Sequence, residues 1–419
     1  MHDFKMKNNR LFCEQVSLEE IARQVGSPVF VYSKKTILDH FNKLKQAFKE
    51  IDPLICYSMK ANSNLSICKI LKDAGAGIDI VSGGELYRAQ AIKVPANKIV
   101  YASVGKTQEE IKAAIEAGIL FFNVESVAEL KQINAIAKSL DKKQKVAIRV
   151  NPDVEAKTHK YIMTAKKQNK FGIDVKTTKD IFTKLSKSLK NLDICCIHLH
   201  IGSQIEHVSP FIQALKKGVK LIEQLNKKGA RITHLNIGGG LGIIYNKEKP
   251  QTACEYAKAI LPIISNKNLK LILEPGRFIM GNAGVLLTKI IYVKDTSVKR
   301  FYIVDAAMND LIRPSFYQAF HGVVPVIAKK KDKLKKADIV GPICESGDFL
   351  AKQRLLPTSL SQDDILAVMS AGAYGFSMSS NYNSRRRAAE VLVDGEKYQI
   401  IRQRETYSEL IKNEITGNI

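Results

Sequence analysis

The chain has 419 residues, 45% of them hydrophobic, and a formal net charge of +24. That length suits roughly two domains with ample buried core, and no apolar run approaches the ~20 residues needed to cross a bilayer. Seven cysteines without framework spacing fit a reducing cytoplasm rather than a disulfide scaffold, and Met1-His2-Asp3-Phe4-Lys5 lacks the apolar core of a secretory signal.

The positive charge invites a nucleic-acid reading. Most lysines, however, are spread along helix-like stretches such as Lys43-Leu44-Lys45 and Lys216-Lys217, with denser clusters at Lys329-Lys330-Lys331 and Arg385-Arg386-Arg387. No zinc-finger spacing, RNP-like aromatic motif or basic heptad accompanies them. The expectation is a field that favours small anionic ligands, with neither nucleic acid nor membrane as partner.

Ser17, just before Leu18-Glu19-Glu20, suits a helix N-cap. Strand-like runs then recur at Val29–Tyr32, Leu54–Tyr57, Gly77–Val81, Ile99–Ala102, Phe121–Val124, Val146–Val150, Ile194–His200, His234–Ile237 and Leu269–Leu273. Between them, stretches such as Thr107–Ala117 and Val127–Leu140 carry i, i+3, i+4 apolar spacing. Such alternation argues for parallel βαβ units. The α/β fold class expected is an N-terminal (β/α)8 TIM barrel over residues 26–276, with an open doubly wound sheet as the alternative. After Pro275 the texture turns β-rich with few helices, and the lysine-rich Ala328–Ala337 reads as a loop. Residues 1–25 and 277–419 are therefore expected to form an antiparallel β-barrel or sandwich domain.

Ionisable or glycine-rich punctuation stands at several expected strand ends: Lys60, Asp79, Arg149, His200, Gly238–Gly240 and Glu274. In a barrel these ends converge on one face, where active sites lie. Lys60 follows an apolar run, and burial would lower its pKa toward a nucleophilic amine; a snorkelling lysine would give the same pattern. Gly238-Gly239-Gly240-Leu241-Gly242 can bring backbone N–H groups to a phosphate or simply make a tight turn. His198-Leu199-His200 puts two imidazoles on one strand face, but no co-ligands complete a metal site, so no metal is expected. Glu274-Pro275-Gly276-Arg277 closes the last strand, either as a site or as an ion pair at a domain junction. Cys344-Glu345-Ser346-Gly347-Asp348 offers a loop thiol, and Ala371-Gly372-Ala373-Tyr374-Gly375 a small-residue turn carrying one phenol.

Together Tyr57-Ser58-Met59-Lys60-Ala61-Asn62, His200-Ile201-Gly202-Ser203-Gln204, the glycine run, Glu274-Pro275-Gly276-Arg277, Cys344-Glu345-Ser346-Gly347-Asp348 and Gly372-Ala373-Tyr374-Gly375 resemble the pyridoxal-phosphate basic amino acid decarboxylases of alanine-racemase fold. The likeness runs in order from about residue 26 to residue 394. It implies that Lys60 holds the cofactor as a Schiff base, that His200 stacks on its ring, and that Glu274 keeps the pyridine nitrogen protonated. Ser203, Gly239, Gly240, Arg277 and Tyr374 would hold the phosphate, Gly276 would also contact the cofactor, and Asp79 and Arg149 would be supports. Arg313 and Tyr317 would take a distal substrate carboxylate and Glu345 a distal ammonium; Arg277 would serve a substrate carboxylate as well as the phosphate, and Tyr374 would also contact substrate. Cys344 would act as general acid, reaching the Lys60 of the other subunit in a homodimer. The activity implied is decarboxylation of meso-2,6-diaminopimelate to L-lysine. Two positions depart from the family pattern: Ala165, in the loop His159–Phe171, where glycine is usual, and Arg386, where proline is common.

Overall fold

The computed structural model describes residues 2–154, 170–329 and 332–417. Four short strands open the chain: β1 (Phe4–Lys7), β2 (Arg10–Cys13), β3 (Val16–Ser17) and β4 (Val29–Ser33). Eight follow: β5 (Leu54–Ser58), β6 (Gly77–Ile80), β7 (Ile99–Tyr101), β8 (Phe121–Val124), β9 (Gln144–Arg149), β10 (Leu192–His198), β11 (His234–Asn236) and β12 (Lys270–Leu273). The remainder carries β13 (Gly284–Asp295), β14 (Arg300–Val304), β15 (Val323–Pro325), β16 (Leu334–Val340), β17 (Phe349–Pro357), β18 (Ile365–Val368), β19 (Ala389–Asp394) and β20 (Lys397–Arg402). Two compact units result, a barrel unit of residues 40–243 with 249–278, and a β unit of residues 1–39, 244–248 and 279–419.

In the barrel unit, β5 to β12 close on themselves in chain order with every neighbouring pair parallel. Parallel neighbours need a crossover, which helices supply. Their starts are written in the chain: the hydroxyls of Ser82, Thr107, Ser126 and Thr252 accept from the N–H of Glu85, Glu110, Glu129 and Glu255, and each such cap contributes about 1 kcal/mol. The helix Ser209–Asn226 buries Phe211, Leu215, Ile222 and Leu225 along one stripe. Inside the barrel, Cys56, Val100, Phe121, Ala147, Cys196 and Ile272 form one apolar cluster. Side chains from six strands can meet this way only at the centre of a closed sheet.

Val29–Tyr32 is not a barrel strand. It forms most of β4, which lies between β13 and β19 in the β unit, so the barrel unit starts at residue 40 rather than 26. All five residues of β4 are buried, and a strand apolar on both faces reads the same in either sheet.

The β unit carries a sheet ordered β17-β16-β14-β13-β4-β19-β20, with β18 joining β13 to β15. The 12-residue β13 pairs with β4 and β18 along its first half and with β14 from Ile290 on, across a register shift at Ile290–Tyr292. Such an irregularity lets one strand change partners. The sheet is mixed where an antiparallel one was expected, because β4 lies parallel to β19 and β14 parallel to β16. Leu18, Ile21, Val29, Val31, Val285, Leu287, Val391 and Val393 belong to its apolar core. Ser17 stands at the N-cap of Leu18–Val25, but its hydroxyl makes no capping bond.

The stretch Ala328–Ala337 is a strand in its second half rather than a loop throughout. Leu334, Lys335 and Lys336 are exposed yet pair in register with Pro357, Leu356 and Leu355, so ladder hydrogen bonds, not side-chain burial, set the conformation there. Among the described residues, no helix is long and apolar enough to cross a membrane.

Candidate active site

Lys60 sits in a single 3-10 turn, Met59–Ala61, directly after β5. Its side chain is one-third exposed, and its Nζ donates to Asp79 Oδ2 at 2.9 Å. The amine thus faces a buried carboxylate, a partner that the apolar run alone does not indicate. Asp79, at the end of β6, is fully buried. Burial pushes its carboxyl up, with Lys60 opposing and Glu274 adding to the rise. Ser58 Oγ donates to Asp79 Oδ2 at 2.6 Å and approaches the Glu274 carbonyl oxygen at 3.0 Å, which ties three strand ends together.

Glu274 follows β12 and is buried. Its Oε1 accepts from Asn123 Nδ2 at 2.8 Å and Asn236 Nδ2 at 2.6 Å, while Oε2 lies 3.2 Å from His198 Nε2. Burial alone would raise its pKa, but His198, Lys60 and the Asn236 amide outweigh that and hold the carboxyl well below the usual carboxylate range. The result is a fixed, buried negative charge.

His200 lies just past β10, its ring 6.4 Å from that of His198 and nearly parallel to it. Burial, with Arg149 and Lys60 nearby, pushes its imidazole pKa down, so the ring is neutral. Arg149, at the end of β9, donates to Glu125 Oε1 at 2.5 Å and lies 4.7 Å from the Phe171 ring centre. Glu125 is fixed in turn by the Gly172 N–H at 2.7 Å. Arg277 Nε and Nη2 reach Ser203 Oγ at 3.3 and 3.2 Å. Gly276 packs against Ser58 and Ala61. At Gly239 a Cβ would stand 2.2 Å from the Glu274 carbonyl oxygen, and at Gly240 2.7 Å from that of Gly202, with φ at +103°. Only glycine fits at either position. The barrel unit thus gathers Lys60, Asp79, Arg149, His200, Ser203, Gly239, Gly240, Glu274, Gly276 and Arg277 at the C-terminal ends of its strands.

The other expected residues lie in the β unit. Arg313 is buried at the start of the short helix Arg313–Tyr317, its Cζ 5.8 Å from the Tyr317 ring centre. Tyr374 takes a left-handed conformation at φ 57°. Cys344 and Glu345 are exposed on a loop whose ends Asp348 ties down, its two carboxylate oxygens accepting from Met308 N at 2.7 Å and Ile343 N at 2.8 Å. Cys344 N donates to Asn383 Oδ1 at 2.9 Å, and Tyr382 Oη to Glu345 Oε2 at 2.9 Å. Arg386 lies 4.5 Å from the Tyr407 ring centre. Ala165 and most of the loop His159–Phe171 fall outside the described residues.

Reading the sequence by strand ends missed the groups that hold the site residues. Asn123 and Asn236 donate to Glu274, and Glu125 accepts from Arg149, while His198, already marked beside His200, brings its Nε2 to 3.2 Å from Glu274. A signal was present, since Asn123 and Asn236 are amides inside apolar strands, where a buried polar group needs a partner.

Residues 34–281 match the pyridoxal-binding domain of the pyridoxal-dependent decarboxylases, and the chain belongs to that family. Within it, the chain is 50% identical to the diaminopimelate decarboxylase of Aquifex aeolicus over 97% of this chain and 96% of that one. The structure of diaminopimelate decarboxylase from M. jannaschii in co-complex with L-lysine superposes with a TM-score of 0.93 at 39% identity, covering 100% of this chain and 99% of that one. The Helicobacter pylori enzyme complexed with L-lysine gives 0.90 at 40% identity, covering 94% and 98%. The site's chemistry fits pyridoxal phosphate: a carboxylate kept ionised by three partners suits a pyridinium, and a side-chain-free glycine turn beside Arg277 and Ser203 suits a phosphate dianion.

Proposed function

We propose that the chain decarboxylates meso-2,6-diaminopimelate to L-lysine and CO2 as a homodimer with shared active sites, acting in the cytoplasm. The observation that carries this reading is the fixed Glu274 carboxylate on the same barrel end as the Lys60–Asp79 pair, in a chain that aligns end to end with diaminopimelate decarboxylases. Bound pyridoxal phosphate supplies an electron sink conjugated to the carbon that loses CO2. Lys60 holds the cofactor aldehyde and Asp79 orients the amine. Glu274 keeps a proton on the pyridine nitrogen, so the sink stays strong. His200 is neutral and offers a flat face rather than a competing charge. Ser203, Gly239, Gly240, Arg277 and Tyr374 bind the phosphate, Gly276 contacts the cofactor, and Arg149 steadies the ring oxygen side.

Substrate choice falls to the β unit. Arg313 and Tyr317 take the distal carboxylate, with Arg277 and Tyr374 assisting, and Glu345 takes the distal ammonium. These residues would hold the substrate with its α-carboxylate as the group lost as CO2; the bound cofactor would take up the bonding pair, and the α-carbon would gain a proton in place of the carboxylate. Cys344 of a second copy delivers the proton to that carbon. Free thiols, of which Cys254 and Cys344 are exposed, suit a reducing compartment.

Release of CO2 from purified protein offered diaminopimelate, ornithine, arginine and lysine tests the reading, with diaminopimelate expected to turn over fastest. Faster turnover of ornithine would overturn the substrate assignment. Cys344→Ala should keep the cofactor yet lose turnover by about 10²–10⁴-fold, and mixing it with Lys60→Ala protein should recover part of the activity. Full activity in the cysteine variant alone would remove that residue from the mechanism.

A further inference from the structure

Arg313 does not stand alone in the β unit. Its Nε donates to His321 Nε2 at 3.4 Å, and its Cζ lies 5.1 Å from the Tyr245 ring centre. His321 has no exposed surface. Its Nδ1 is 2.9 Å from the Met369 carbonyl oxygen, and the Tyr245 ring meets its ring edge-on at 5.3 Å and 74°. These contacts fix the imidazole's protonation pattern. A guanidinium can only donate, so Nε2 must present its lone pair; a carbonyl can only accept, so Nδ1 must carry the proton. An imidazolium would aim an N–H at the guanidinium and add a second cation beside it. Arg354, whose Nη2 reaches the His321 carbonyl oxygen at 3.5 Å, makes further positive charge there still less favourable.

We propose that His321 is a positioning residue for substrate specificity: in its neutral Nδ1–H form it anchors the Nε edge of Arg313 and so fixes the guanidinium plane that meets the distal carboxylate of the substrate. Tyr245 and Tyr317 restrict that plane from the sides, and the Met369 carbonyl sets the imidazole's rotation. A planar fork binds a carboxylate well only when its orientation is set beforehand, and a hydrogen bond between backbone and imidazole is a rigid way to set it. The inference rests on the role proposed above for Arg313.

The test compares His321→Phe, His321→Asn and His321→Gln in the cofactor-loaded enzyme. Gln can place an acceptor where Nε2 stands; Asn reaches only the Nδ1 position; Phe keeps the packing without either. KM for diaminopimelate and the inhibition constant for L-lysine, which keeps the distal carboxylate, should rise on the order of tenfold in the Phe and Asn variants. Values for His321→Gln should stay near wild type, kcat should change little in all three, and inhibition by cadaverine, which lacks any carboxylate, should not move. If His321→Phe fails to fold, the Asn and Gln pair carries the comparison. Unchanged lysine inhibition in the Asn variant, or lysine and cadaverine inhibition weakening together, would overturn the inference. Arg313→Ala separates the two levels: if it weakens lysine inhibition while His321→Asn does not, the positioning role fails and the substrate reading stands. If Arg313→Ala has no effect, the substrate reading itself fails. In an Arg313→Ala background, His321→Asn should add nothing to the loss of lysine inhibition.

Discussion

The lower and upper layers of the barrel interior are built from the same strands, two residues apart, and they do opposite things. Cys56, Phe121, Ala147, Cys196 and Ile272 pack together as an apolar cluster, with His234 edge-on to Phe121 at its border. Two positions further along, on the same face because side chains alternate, stand Ser58, Asn123, Arg149, His198 and Glu274. Asp79 follows Gly77 by the same step. The lower layer gains roughly 25 cal/mol for each Å² of apolar surface it buries. Burying charge in the upper layer costs free energy unless partners are supplied, and they are: Asn123, Asn236 and His198 for Glu274, Ser58 and Lys60 for Asp79, Glu125 for Arg149. A charge fixed by its neighbours before the reaction need not reorganise during it. An apolar layer and a layer of paired polar groups are thus stacked along one axis, separated by a single turn of the strand pleat.

Lys60→Ala gives the largest expected effect at the upper end, abolishing turnover together with the visible absorbance of bound cofactor. A retained absorbance band would show that another lysine holds the cofactor. One layer down, Phe121→Ala should cost about 3–5 kcal/mol of stability while activity per folded molecule stays close to wild type, as read by denaturant melts and active-site titration. A matching collapse of kcat at low temperature, where the variant is folded, would break the division between layers. Asn123→Ala lies two residues on in the same strand, and it should do the reverse. Removing one donor from the Glu274 carboxylate should lower kcat on the order of tenfold with the cofactor still bound, and shift the melting midpoint less than Phe121→Ala does.

The lower layer was far more legible in the sequence than the upper one. Short apolar runs at regular spacing announce eight barrel strands, because any buried parallel strand must be apolar on both faces. That same uniformity hid the difference between β4 and a barrel strand, since Val29-Phe30-Val31-Tyr32 carries no mark of which sheet will receive it. In the upper layer, residues that punctuate a strand end, such as Lys60, Glu274 and Arg277, stand out by type and spacing. The residues that hold them do not. Nothing local links Asn123 to Glu274 across 151 positions, or Arg313 to a histidine whose partner is the carbonyl of Met369. The first pairing is made by closure of the barrel and the second within the β unit, where β15 pairing with β18 brings Met369 to His321, neither of which a linear pattern encodes.

One histidine in the barrel interior also allows the two layers to be compared by pH. His234, at the first position of β11, meets the Phe121 ring edge-on at 5.0 Å, beside the apolar cluster. Burial, with Lys270 and Lys145 adding to it against Asp193, lowers its pKa from 6.5 to about 4. Between those values the unfolded chain binds a proton that the folded barrel refuses, so folding stability falls as pH is lowered from 6.5 toward 4 and is fully retained above that window. His200 in the upper layer is shifted in the same direction, so His234→Gln should reduce the pH slope of unfolding free energy without removing it. Denaturant titrations of the apo-protein at pH 7, 6 and 5 read the slope directly, and activity near neutral pH should be untouched because His234 lies in the layer that stabilises rather than reacts. Identical slopes in the variant and wild type would mean that the lower layer accommodates a charge as readily as water does. The contrast between an apolar layer and a paired polar one would then be lost at its apolar end.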